Sequence, residues 1–194
     1  MFKGEIIMKK EQENLQSKIL TIPNTLSFLR LCLIPIFVWL YCVKEDYVAT
    51  IVVLLISGFT DVLDGFIARH FNMISNLGKA LDPVADKLTQ GAMLFCLLTN
   101  FSFMWIPLIL LIIKEVFTGI TGLLIIKKTG NVYGAEWHGK LTTCMIYAMI
   151  MVHLIWYDIS VGVSAWLIVS CVIVMVMSCV LYGKRNYQLL KSKK

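Results

Sequence analysis

Charge is scarce in this 194-residue chain. Only 15% of its residues are Asp, Glu, Lys or Arg and 58% are hydrophobic, against about 25% charged and 45–50% apolar in a soluble domain. A water-exposed globule is thereby excluded. Paired cysteines are also missing: Cys32, Cys42, Cys96, Cys144, Cys171 and Cys179 fall singly inside apolar runs, without the spacing of zinc sites or disulfide scaffolds. They read as small packing residues. The first twenty residues lack a continuous apolar core and mix Glu5, Glu11 and Glu13 with lysines, which argues against a cleaved signal peptide and for a surface helix. No nucleic-acid module accompanies the net charge of +6, and no internal repeat is visible, so the basic character points to anionic lipid headgroups.

What the chain has in abundance is apolar runs of spanning length. A transmembrane helix needs about 20 predominantly apolar residues, and such runs lie near residues 25–43, 47–69, 79–99, 104–126, 139–157 and 162–182. The expectation is an all-α polytopic membrane protein with six transmembrane helices and an N-terminal juxtamembrane helix. Residues 1–22 form the juxtamembrane segment, 23–183 the membrane domain and 184–194 a basic tail.

Orientation follows from Lys and Arg, which concentrate in cytoplasmic connections. One side holds Lys3, Lys9, Lys10, Lys18, Arg69, Lys79, Lys127, Lys128, Lys140, Lys184, Arg185, Lys191, Lys193 and Lys194, and the other holds Lys44. The expectation is a multi-pass protein of the cell (inner or plasma) membrane with both termini on the cytoplasmic side.

The few charges inside the spans are concentrated. Span two carries Asp61, Asp64, Gly65, Ala68 and Arg69, and span three opens with Gly78, Asp82 and Asp86. On a helix, Asp64, Gly65 and Ala68 fall within about 60° of Asp61, and Asp86 within about 40° of Asp82. Each helix thus presents one acidic stripe. Asp61 is about 12 Å along the axis from Arg69, so the stripes lie at headgroup depth. An Asp at a helix centre costs about 2.5–3.5 kcal/mol on insertion scales, so four of them require a polar cavity and compensation.

Two kinds of compensation fit. One is a structural ion-pair cluster with Arg30, Arg69, Lys79 and Lys87. The other is a pair of divalent cations: oxygen ligands without His or Cys select hard ions, Mg²⁺ or Mn²⁺, and two such ions can clamp a phosphoryl group. Gly65 and Ala68 on the acidic face either leave room for a ligand or serve close helix packing. A cation transporter is the alternative class. It would place its charges nearer the midplane, often with repeated or broken helices.

The string Asp61-x-x-Asp64-Gly65-x-x-Ala68-Arg69, continued by Gly78-x-x-x-Asp82-x-x-x-Asp86, resembles the signature of the CDP-alcohol phosphotransferase family. That resemblance implies transfer of a phosphatidyl group from CDP-diacylglycerol to an alcohol with release of CMP, at a site on the cytoplasmic side. It implies that Asp61, Asp64, Asp82 and Asp86 hold two metal ions and that Asp86 takes the proton of the alcohol. It assigns Gly65, Ala68, Arg69, Ser75 and Gly78 to the CDP part, and it implies a homodimer. The segment from Pro23 to Arg30 is similar to the entry of the first span in these enzymes, which brings Asn24 and Ser27 to the diphosphate. A plain helix start capped at Asn24 explains the same residues.

Within the family the chain most resembles bacterial phosphatidylglycerophosphate synthases, through the entry motif, Lys114-Glu115 and the stretch Trp137 to Thr143. It departs from them where Gly122 and Thr142 stand in place of basic residues. Glycerol 3-phosphate needs cationic partners, and the candidates are Arg30, Lys114 and Lys140. Lys114 with Glu115 also reads as a simple ion pair. With two cations missing, phosphatidylglycerol, the acceptor of a CMP-forming cardiolipin synthase, is the alternative alcohol, alongside other acceptors of the family. His138 and His153 have no metal-like partner in the sequence, and Trp105, Trp137 and Trp156 read as interfacial anchors.

Overall fold

The computed structural model describes residues 22–70, 76–130, 134 and 136–191, excepting the side chains of residues 22, 23, 64, 65, 68, 69 and 76–80. The proposed juxtamembrane helix over 1–22 lies almost wholly outside the described residues. The described secondary structure is helical: α1 (Ile22–Cys42), α2 (Tyr47–His70), α3 (Asn76–Leu97), a 3-10 turn (Ser102–Met104), α4 (Trp105–Thr129), α5 (Trp137–Ile155) and α6 (Val161–Lys191). The chain is an all-α membrane protein, with each of the six apolar runs forming one helix.

Among the described residues, four stretches are long and apolar enough to cross a bilayer, namely Asn24–Cys42, Ser102–Thr129, Trp137–Ile155 and Val161–Lys191. Among the described residues, Tyr47–Leu63 of α2 is a further, shorter apolar stretch. α3 is 22 residues long, the length of a span, and carries Lys79, Asp82, Asp86 and Lys87.

Apolar side chains cover the outside. Val48, Phe59, Val62, Leu123, Val161 and Trp166 are all largely exposed, as lipid contact requires. Trp105, Trp137 and Trp156 lie exposed at helix ends, the position of interfacial anchors.

The chain forms two compact units that divide at Ala92–Met93 within α3. In the first, α1 packs along α2. The buried stripe of α1 changes character along its length, from Asn24, Ser27 and Arg30 to Phe37 and Tyr41. The matching buried positions of α2 are mostly small: Thr50, Leu54, Ser57 and Thr60. Small side chains let membrane helices approach closely. Thr50 and Thr60 return their hydroxyl protons to the carbonyls of Asp46 and Ser57 at 2.8 and 2.7 Å, so neither leaves a polar atom facing lipid.

In the second unit, α6 packs against both α4 and α5. α4 stops at Gly130, which adopts φ 71° and returns its N–H to the Ile126 carbonyl at 2.8 Å. That left-handed turn suits glycine. At Gly139 a β-carbon would come within 2.4 Å of the Tyr182 hydroxyl, so the close approach of α5 to α6 requires glycine there.

The sixth helix departs from expectation. The sequence suggests a span ending near residue 182 with a separate tail, whereas α6 runs 31 residues to Lys191. At 1.5 Å per residue it is about 46 Å long, well beyond a hydrocarbon core of about 30 Å. Its extension is held by side chains: the Asn186 amide donates to Thr121 Oγ1 at 2.7 Å, Arg185 pairs with Glu136 at 3.1 Å, and Lys128 donates to the Leu190 carbonyl.

Candidate active site

The acidic motif is organised by α1. Asn24, Ser27 and Arg30 recur every three residues and are all buried, which puts them on one face of the helix. Arg30 Nη1 lies 2.7 Å from Asp61 Oδ1 on α2. The Ser27 hydroxyl donates to Asp82 Oδ1 on α3. Two residues one turn apart on α1 thus reach the first aspartate of each acidic stripe, and the two halves of the motif are joined through a third helix.

The burial of these groups is uneven. Arg30 is 2% exposed and the Asp61 side chain 50%, so the cation is taken out of solvent and the carboxylate is half open. Such a pair contributes little net stability against the cost of desolvating the guanidinium, but removing its anionic partner is costly. On α3, Asp82 and Asp86 are partly buried. The Gln90 amide, one turn further along the same face, donates to Asp86 Oδ2 at 3.3 Å.

Of the residues singled out from sequence, the structure brings Ser27, Arg30, Asp61 and Asp82 into direct contact and places Asn24 on the same buried face of α1. Arg30, an acceptor candidate by sequence, sits on Asp61; to that extent the ion-pair reading of the aspartates is realised. Ser75 and the side-chain environments of Asp64, Gly65, Ala68, Arg69 and Gly78 lie outside the described residues.

The remaining acceptor candidates belong to the second unit. Lys114 on α4 is buried and its Nζ lies 2.8 Å from Glu115 Oε1, while Lys140 on α5 is exposed. The histidines have structural partners. His138 Nδ1 meets Ser178 Oγ at 3.1 Å and its ring stands edge-on to Tyr182. His153 bridges the Met149 carbonyl at 2.8 Å and Ser164 at 2.9 Å.

Gln90 is the contact that the sequence reading passes over. The signal was present: Asp82, Asp86 and Gln90 recur at intervals of four on α3, within about 40° of each neighbour, and Gln90 is a polar residue entering an apolar run.

Among the described residues no group of three or more His, Cys, Asp or Glu side chains is placed to hold a metal ion. The described carboxylates, Asp61, Asp82 and Asp86, nevertheless offer oxygen alone, the donor set that suits Mg²⁺ and Mn²⁺.

Comparison with known proteins places the chain in a family. The family model for CDP-alcohol phosphatidyltransferase matches residues 20–180, which takes in α1 to α5 and most of α6. The chain belongs to the CDP-alcohol phosphatidyltransferase family, membrane-bound transferases of phospholipid biosynthesis. It is 34% identical over 137 residues to the CDP-diacylglycerol--glycerol-3-phosphate 3-phosphatidyltransferase of Bacillus subtilis, covering 63% of this chain and 70% of that one. It is 48% identical over 77 residues to the cardiolipin synthase (CMP-forming) of Streptomyces coelicolor, 37% of this chain and 35% of that protein. It is also 44% identical over 96 residues to the cardiolipin synthase (CMP-forming) of Homo sapiens, 49% of this chain and 31% of that protein. The chain thus spans about two thirds of the first relative and about one third of the other two.

Proposed function

We propose that this protein transfers the phosphatidyl group of CDP-diacylglycerol to an alcohol with release of CMP, and that its preferred acceptor is glycerol 3-phosphate. The observation that carries the donor half is the convergence of buried Ser27 and Arg30 on Asp82 and Asp61, which builds one polar centre from the residues of the family signature. The acceptor rests on the Bacillus relative, whose similarity extends over a longer stretch than that of the two cardiolipin synthases.

In this reading the acceptor hydroxyl oxygen attacks the phosphorus next to diacylglycerol, the bond from that phosphorus to the CMP oxygen breaks, and the hydroxyl proton passes to Asp86. A carboxylate is a weak base for an alcohol, so Asp86 acts by placement, taking the proton as the new bond forms. Asp61, Asp64, Asp82 and Asp86 would hold two Mg²⁺ or Mn²⁺ ions. When bound, these neutralise the diphosphate and polarise the phosphorus. Arg69 offers a fork of donors suited to phosphate oxygens, with Gly65, Ala68, Ser75 and Gly78 lining the nucleotide and Asn24 and Ser27 at the diphosphate.

A second acceptor has specific support. The relatives with the higher identities over shorter stretches are cardiolipin synthases, and Lys114, a cation expected for the phosphate of glycerol 3-phosphate, is engaged with Glu115. Phosphatidylglycerol is therefore the alternative alcohol. The basic residues at the ends of α2, α4 and α6 and at the start of α3 support a cytoplasmic active site in the cell membrane. A homodimer is the proposed assembly.

The test is CMP release from CDP-diacylglycerol by purified protein with Mg²⁺ or Mn²⁺, offering glycerol 3-phosphate, phosphatidylglycerol, inositol phosphate and serine separately. Release with glycerol 3-phosphate alone supports the main reading and release with phosphatidylglycerol alone the second. No release with any of them refutes the transferase reading.

A further inference from the structure

The polar face of α3 continues one turn past the signature. Gln90 is fully buried, and its Nε2 donates to Asp86 Oδ2 at 3.3 Å. A carboxylate offers only acceptors, so the amide nitrogen must face Asp86 and the carbonyl must point away from it. That carbonyl oxygen, Oε1, is buried and has no hydrogen-bond partner among the described residues. A buried acceptor left unsatisfied is costly and uncommon in native proteins. Gln90 therefore carries an acceptor group beside the residue that takes the proton in the proposed reaction.

We propose that Gln90 reads the acceptor alcohol: its Oε1 accepts a hydrogen bond from a second hydroxyl on the carbon next to the reacting one, which makes the enzyme selective for vicinal diols. This rests on the transferase reading above, and it deepens it by naming the substrate class. The reacting hydroxyl lies at Asp86, and the amide that donates to Asp86 carries its carbonyl on the side turned from the carboxylate, one amide group away. Glycerol 3-phosphate and the glycerol headgroup of phosphatidylglycerol both have this pattern, a terminal hydroxyl that reacts and a middle hydroxyl that does not. Alcohols without the second hydroxyl leave Oε1 buried and unsatisfied, and a site built around such a hydrogen bond rejects them.

The experiment compares each acceptor with its analogue lacking the middle hydroxyl: glycerol 3-phosphate against 3-hydroxypropyl phosphate, and phosphatidylglycerol against phosphatidyl-1,3-propanediol. The pair that supports CMP release identifies the source of the diol. The wild type is expected to prefer the diol in kcat/KM by about tenfold or more. Gln90→Met, similar in size but without polar atoms, is expected to lower that preference to less than about threefold. Gln90→Glu keeps an acceptor oxygen and is expected to keep the preference at a lower rate. A wild-type preference below about threefold overturns the proposal without any variant. Retention of the full preference by Gln90→Met, or an equal loss of activity toward both acceptors, overturns it as well. Absence of CMP release from every acceptor is a different result: it removes the transferase reading and this inference with it.

Discussion

Arg30 on α1 and Asp61 on α2 form an ion pair at 2.7 Å in which the cation is almost fully buried and the anion half exposed. The asymmetry decides which partner matters more for folding. Removing Asp61 takes away the carboxylate that balances a buried guanidinium, while removing Arg30 leaves a carboxylate that solvent can still screen. We predict that Asp61→Asn lowers stability by about 1–3 kcal/mol, discounted from the fully buried case, and that Arg30→Met costs less. The check is denaturant or thermal unfolding in detergent with chelator present; a larger loss in Arg30→Met contradicts the account.

Asp86→Asn is expected to reduce CMP release by about 10²–10⁴-fold, the usual contribution of a placed general base. Donor binding, followed by protection of the solubilised protein by CDP-diacylglycerol, should change far less. Near wild-type turnover in this variant would remove the proton-acceptor role.

Chelation with EDTA is expected to abolish CMP release, and added Mg²⁺ or Mn²⁺ to restore it, because the site offers oxygen ligands alone. Full activity after exhaustive chelation would argue for the ion-pair reading of the aspartates.

Gly139→Ala is expected to destabilise the second unit by about 1–3 kcal/mol through overpacking, since the added carbon would sit 2.4 Å from the Tyr182 hydroxyl. Tyr182→Phe removes that oxygen and should recover part of the loss when combined with Gly139→Ala. The recovery is partial because the hydroxyl also accepts the Glu136 N–H at 3.2 Å. Thermal unfolding of the two single variants and the double variant completes the cycle; strict additivity would contradict the contact.

Sidedness is measurable in a cysteine-free background. Lys44→Cys should react with a membrane-impermeant maleimide in intact cells, and Lys184→Cys only after permeabilisation. The reverse pattern would invert the proposed topology.

The helices were legible because each is an apolar run closed by charge, glycine or asparagine. α2 ends at His70 and α4 at Thr129, within a few residues of the expected limits. The far end of α6 was not, because Lys184, Arg185 and Asn186 look like a tail when hydropathy alone is read; the contacts of Arg185 with Glu136 and of Asn186 with Thr121 accompany the longer helix. The acidic stripes were legible from helical spacing. The part played by α1 was only half legible, since Ser27 and Asp82 are 55 positions apart and sequence spacing cannot show which helices share a face. The place of Arg30 was hidden for the same reason. In the structure it pairs with Asp61, 31 positions along the chain.

The overhang of α6 sets how the second unit meets membranes of different thickness. With Asn186 fixed to Thr121 and Lys128 to the Leu190 carbonyl, α6 cannot slide along α4 without breaking side-chain bonds. A thinner or thicker bilayer must then be accommodated by tilting the bundle or deforming the lipid, at fractions of a kcal/mol per Å. Vertical register inside this unit belongs to the protein, and the lipid adapts to it.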